Sequence, residues 1–152
     1  MSTRRETLKH SAVVAGLLCA TGLFPQYAIA AFNKNAFDSK NLADAFKALG
    51  LAAPVESKSV TLQAPDIAEN GAVVPVGATC ALAGVKQILF LVEKNPTVLI
   101  AAFNLSDNVD AAITTRTKMA ETSNVYAVAV MNDGKVLYAK KEVKVTMGGC
   151  GG

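Results

Sequence analysis

The chain has no tryptophan, its aromatic residues make up only 6% of 152 positions, and its single histidine is His10. Each shortage excludes something. With no aromatic platform, and 15 Lys+Arg spread thinly against 12 Asp+Glu, the chain lacks the basic, stacking surface that nucleic-acid binding requires. With no histidine after position 10, the remainder has no imidazole for a catalytic triad, a proton shuttle or a zinc site. The three cysteines, Cys19, Cys80 and Cys150, form no Cys-x-x-Cys pair, so a thiol oxidoreductase motif is missing as well. What is abundant is apolar character: 51% hydrophobic and 18% charged residues exclude a disordered chain and fit one small globular domain.

The first thirty residues read as an address rather than as fold. Arg4, Arg5 and Lys9 precede a small-residue apolar core from Ala12 to Phe24, followed by Ala28-Ile29-Ala30, the pattern of a cleavable export signal over residues 1–30. Thr3-Arg4-Arg5-Glu6-Thr7-Leu8-Lys9 resembles the twin-arginine motif, with Thr7 where an aromatic is usual. The apolar run falls short of the roughly 20 residues a membrane span needs, and Gly22, Pro25 and Gln26 interrupt its end. A lipoprotein site at Cys19 is disfavoured by Leu18, so Cys19 leaves with the signal. Removing Arg4, Arg5, Lys9 and Glu6 leaves 12 basic and 11 acidic residues, a net charge of about +1 that steers nothing over long range. The expected destination is the periplasm, with no membrane span after cleavage.

Residues 31–145 carry the fold. Leu42, Ala45, Phe46 and Leu49 recur at helical spacing within Asn35 to Leu49, with Asp38 or Ser39 as candidate N-cap and Gly50 as terminator. Beyond Pro54 the pattern changes to Val-, Ile- and Leu-rich runs separated by turn residues. The runs are Lys58 to Gln63, Ala72 to Leu82, Val85 to Glu93, Val98 to Leu105, Ala111 to Met119, Val125 to Met131 and Val136 to Val145. Asn70-Gly71 and Asp133-Gly134 predict turns, the second a tight hairpin. About seven short strands after one short helix predict an all-β, immunoglobulin-like antiparallel sandwich. Pro75 predicts that its run is an edge strand or carries a bulge. Cys80 falls in register with Val74, Val76, Ala78 and Leu82, which predicts an inert, buried small hydrophobe.

The last run alternates, with Leu137, Ala139, Val143 and Val145 on one face and Tyr138, Lys140, Glu142 and Lys144 on the other. Lys141 breaks the apolar face. Residues 146–152 follow, ending Gly148-Gly149-Cys150-Gly151-Gly152, a thiol between two glycine pairs. Glycine removes side-chain restriction, so the segment is expected to be mobile and narrow. A nucleophile must be held within hydrogen-bond reach of its base, which such a tail cannot do alone, so Cys150 is a poor resident active site. It suits covalent carriage, in which cargo bonds to sulfur and the tip enters one enzyme cleft after another. From Val145 the five residues to Cys150 reach at most roughly 17 Å. A cysteine forming an interchain disulfide, as in a secreted structural module crosslinked through Cys150, and an inert tail fit the same residues.

Four stretches resemble the SoxY family of sulfur-carrier proteins of bacterial thiosulfate oxidation. They are Pro65 to Val76, Val92-Glu93-Lys94-Asn95-Pro96, Thr115-Arg116-Thr117-Lys118-Met119-Ala120 and, above all, Lys141 to Gly152 with its terminal Gly-Gly-Cys-Gly-Gly. The resemblance implies an immunoglobulin-like sandwich in a periplasmic heterodimer with SoxZ, and a covalent sulfur attachment site at Cys150 on an arm formed by Gly148, Gly149, Gly151 and Gly152. It also implies that the haem protein SoxAX joins thiosulfate oxidatively to the cysteine. SoxB then hydrolyses off the sulfonate as sulfate, and in many organisms SoxCD oxidises the remaining sulfane. On this resemblance the chain is a carrier and not an enzyme, holding no cofactor or metal of its own; the missing imidazole agrees. A second mature cysteine, Cys80, departs from the family's usual single one. If the signal is of twin-arginine type, replacing both Arg4 and Arg5 by Lys will hold the protein in the cytoplasm, read by fractionation; unaffected export will exclude that route.

Overall fold

A computed structural model of the chain describes residues 33–147. The residues expected to form the export signal lie outside these, as do Gly148 to Gly152.

Two short helices come first. Helix α1 (Lys34–Phe37) is capped by Asn33, whose side chain accepts from the Ala36 N–H, and α2 (Leu42–Ala48) by Asn41, which accepts from the Asp44 N–H at 2.9 Å. The single helix expected from Asn35 to Leu49 is therefore two, and neither Asp38 nor Ser39 is the N-cap. The chain breaks because Ser39 is committed elsewhere: its carbonyl accepts from the Val98 N–H at 3.0 Å, and its hydroxyl donates to Asn35 O. Gly50, with φ +65°, ends α2 as expected.

Nine strands follow: β1 (Val55–Glu56), β2 (Val60–Gln63), β3 (Ile67–Ala68), β4 (Val74–Cys80), β5 (Val85–Val92), β6 (Leu99–Asn104), β7 (Ala112–Thr117), β8 (Ser123–Met131) and β9 (Val136–Val145). All seven expected runs form strands. The additions, β1 and β3, are two-residue strands that pair in parallel with β9, too short to leave a periodicity in sequence. The larger sheet runs β1-β9-β8-β5-β6 with β3 also on β9, and the smaller runs β2-β4-β7. Together they form the all-β sandwich expected.

Ile88, Phe90 and Val92 of β5 and Val125, Ala127 and Ala129 of β8 meet Val60, Val74, Val76 and Ala78 of the smaller sheet between the layers. The alternate residues Leu89, Leu91, Val128 and Val130 are buried on the other side, under Ala36 and Ala45 of the helices. From Ile88 to Val92 both faces of β5 are therefore dry, which is why that part of its sequence is a continuous apolar run and not an alternation. The two helices supply the cover. No helix among the described residues is long and apolar enough to cross a membrane.

Pro75 does not make β4 an edge strand, because β4 lies between β2 and β7. Its partner on β2 is missing only locally: β2 pairs with Gly77 through Cys80, and Pro75 faces Arg116 of β7 alone. The absent N–H thus falls where the strand has one free side. Asp133-Gly134 forms the β8–β9 turn, with Gly134 at φ +88° and the Asp133 carboxylate accepting from the Lys135 N–H at 3.0 Å.

Phe90 is 1% exposed and meets Phe103 edge-on, with ring centroids 6.2 Å apart. Phe90→Ala is expected to cost about 3–5 kcal/mol, measured as a lowered denaturant midpoint at unchanged slope.

Candidate functional site

Cys150 and the glycines Gly148, Gly149, Gly151 and Gly152 lie outside the described residues. The structure does describe the platform from which they leave. Strand β9 pairs with β8 from Val136 to Val143, and Val145 and Thr146 carry the chain out at the end of the sandwich where β5 and β7 finish and β4 and β8 begin.

The described residues of all four stretches singled out in the sequence converge there. The segment between β2 and β4 crosses the exposed flank of β9 as a strap, and its backbone is bonded to β9 repeatedly. The Lys144 N–H donates to Asp66 O at 3.0 Å, the Thr146 N–H to Ala68 O at 3.1 Å, and the Gly71 N–H to Met147 O at 2.7 Å. Thr146 Oγ1 donates to Glu69 O at 3.0 Å. The buried Gly71 also receives the Met119 N–H at 2.7 Å, so one peptide joins the strap, the β7–β8 connection and the chain leaving β9. Its turn is shaped by Asn70, whose side chain accepts from the Ala72 N–H at 2.8 Å. On the opposite flank, the Val145 N–H donates to Thr122 Oγ1 at 3.0 Å.

Lys141, the break in the apolar face, belongs to this arrangement. Its ammonium donates to Ala64 O at 2.6 Å and pairs with the Asp66 carboxylate at 2.9 Å, stitching the strap to β9. The remaining stretch enters through Asn95, which donates from Nδ2 to Lys118 O at 2.7 Å and accepts from the Ala120 N–H at 3.0 Å. Glu93 accepts from Asn124 Nδ2 at 2.8 Å and from the Tyr126 hydroxyl at 3.4 Å. Burial raises the Tyr126 phenol above its ordinary pKa of 10.0, and the neighbouring Glu93 carboxylate adds to the effect. The Tyr126 phenol therefore stays neutral at neutral pH.

Sequence reasoning treated Asn70-Gly71 and Asn95-Pro96 as a turn and a loop, and left Thr146 within the arm. Only Lys141, out of place on an apolar face, carried a visible signal of this arrangement. Arg116 and Lys118 are exposed, as expected of a solvated strand face.

Cys80 is not at this end. It closes β4 at the other pole, half-buried where full burial was expected, and lines a cleft of about 410 Å³ with Leu82, Val109 and Asp110. The strand ends before the core closes over it. Among the described residues no group of three or more His, Cys, Asp or Glu side chains is placed to hold a metal ion.

A family model described as "Sulfur oxidation protein SoxY" matches residues 46–150. The chain belongs to the SoxY family. Among solved structures it is similar to the sulfur carrier protein SoxY from Chlorobium limicola f. thiosulfatophilum, with 32% identity and a TM-score of 0.60 over 67% of this chain and 92% of that one. It is also similar to the superoxide reductase (neelaredoxin) from Ignicoccus hospitalis, at 17% identity and a TM-score of 0.52, covering 57% of this chain and 80% of that one. The second likeness establishes the shared sandwich alone. The comparison with curated proteins finds no match.

Membership in the SoxY family gives the convergent pole its interest, since the family match runs through the pole's stretches to residue 150. Asn95→Ala removes two hydrogen bonds that hold the β5–β6 and β7–β8 connections together there. A loss of about 1–3 kcal/mol is expected in urea denaturation, with faster amide exchange at Ala120.

Proposed function

We propose that this SoxY chain is a periplasmic sulfur carrier that holds thiosulfate-derived intermediates on Cys150 Sγ and presents them to partner enzymes. The observation that carries this reading is the family match extending to residue 150, which takes in the cysteine between its glycine pairs. The similar SoxY of Chlorobium limicola is described as a sulfur carrier protein, which supports the same reading.

The chemistry asked of this chain is limited. A cysteine thiolate and the outer sulfur of thiosulfate join with loss of two electrons, which leave through the haem protein SoxAX. Water then cleaves the terminal sulfonate in SoxB, releasing sulfate and leaving a persulfide on Cys150. Where SoxCD is present, it oxidises that sulfane. The chain supplies the attachment sulfur and its delivery, and every catalytic group comes from a partner. A SoxZ subunit completes the carrier as a heterodimer, and the export signal brings it to the periplasm.

Intact mass of the protein isolated from thiosulfate-grown cells tests this directly. The expected result is a population heavier by sulfur or thiosulfate, abolished by Cys150→Ser, because a hydroxyl cannot form the disulfide-type link. A reduction-sensitive dimer joined through Cys150, with no sulfur adduct, will instead establish a crosslinked structural module.

A further inference from the structure

The hydrogen-bonded path of β9 continues beyond its last strand residue, Val145. Packing does not hold the extra residues, since the Thr146 side chain is exposed and Met147 is 65% exposed. What holds them is the strap: Ala68 O and Glu69 O on Thr146, and the Gly71 N–H on Met147 O. Gly71 is itself buried and fixed through Met119, so the last anchor is tied to the domain rather than to a loop tip. The strap is in turn fastened upstream by Lys141.

We propose that the strap Ala64 to Gly71 is a length-setting clamp for the Cys150 segment, with Lys141, Thr146 and Gly71 as its positioning residues. With Met147 held, three residue steps separate the anchor from Cys150, a reach of roughly 11 Å; with the chain free from Val145 the reach is roughly 17 Å. The benefit for sulfur carriage rests on the function proposed above, while the clamp itself does not.

The test measures reach, not sulfur. The full chain carrying Cys19→Ser, Cys80→Ala and Asp133→Cys receives nitroxide labels at Cys150 and position 133, and the distance distribution is recorded by pulsed electron spin resonance. Three changes are compared with this parent: Gly71→Pro, which removes the donor to Met147 O; the pair Lys141→Met with Thr146→Val, which removes only side-chain bonds; and a Gly-Gly insertion after Met147, which lengthens the segment and spares the clamp. The expected result is that Gly71→Pro broadens the distribution as the insertion does, and that the side-chain pair, which leaves the Gly71–Met147 bond in place, broadens it less. If Gly71→Pro fails to fold, amide exchange at Thr146 decides alone. Gly71→Pro matching the parent, while the insertion broadens, will overturn the proposal.

Amide exchange in the unlabelled wild-type chain gives a second reading. The Thr146 N–H should exchange at least about tenfold slower than an unstructured amide, and exchange at the unstructured rate will equally overturn the clamp. A clamp confirmed in a chain whose Cys150 never bears sulfur leaves the reach inference standing and removes the carrier function.

Discussion

The pairing of β9 is the constraint on which the rest depends. This ten-residue strand holds β8 along one edge, and β1 and the strap strand β3 along the other. Its register with β8 sets which residues face the sandwich interior, because a slip of one residue would turn Val143 out and Lys140 or Glu142 in. Gly134 at positive φ fixes that register from the turn, and fully buried Val143 fixes it from the core. Once the register is set, the point at which the chain leaves the domain is set with it.

The clamp shows how small energies can serve position rather than stability. The Asp66 side chain is 89% exposed, so its pair with Lys141 is a surface ion pair worth about 0–1 kcal/mol. The interior is held by Phe90, Leu91, Val92 and their neighbours, which are almost wholly removed from water. A few solvent-facing hydrogen bonds nevertheless decide where the anchored chain ends, because Thr146 and Met147 have exposed side chains and no place in the core. The stable part of the molecule is thus separate from the part that meters its C-terminal segment.

Separation of scaffold from chemistry also explains why so little of the sequence looks functional. The sandwich is shared with a superoxide reductase at 17% identity, so the fold by itself names no activity. Membership in the SoxY family rests on a match covering residues 46–150. Its described part holds neither a histidine nor a metal-ligating cluster, and the polar groups at this pole are spent on one another: backbone amides with Asn70, Asn95, Thr122 and Thr146, Lys141 with Asp66, and Glu93 with Asn124 and Tyr126. Such groups position a chain.

The sequence by itself determined the seven long strands, the Asp133-Gly134 hairpin and a composition without imidazole after His10, because period, turn residues and composition are local properties. It also exposed Lys141 as a misplaced charge. Tertiary structure alone decided that the N-terminal helix breaks at Ser39, whose carbonyl answers Val98 nearly sixty residues away. It likewise decided that Pro75 sits in a central strand at the one stretch with a free side, since that depends on where β2 stops. The strap could not be read from its own residues either: two-residue strands have no period, and the bonds of Ala64, Asp66, Ala68 and Gly71 are made to partners about seventy-five residues further along the chain. Long-range backbone pairing leaves no local pattern, and here it is that pairing which fixes where the anchored chain ends.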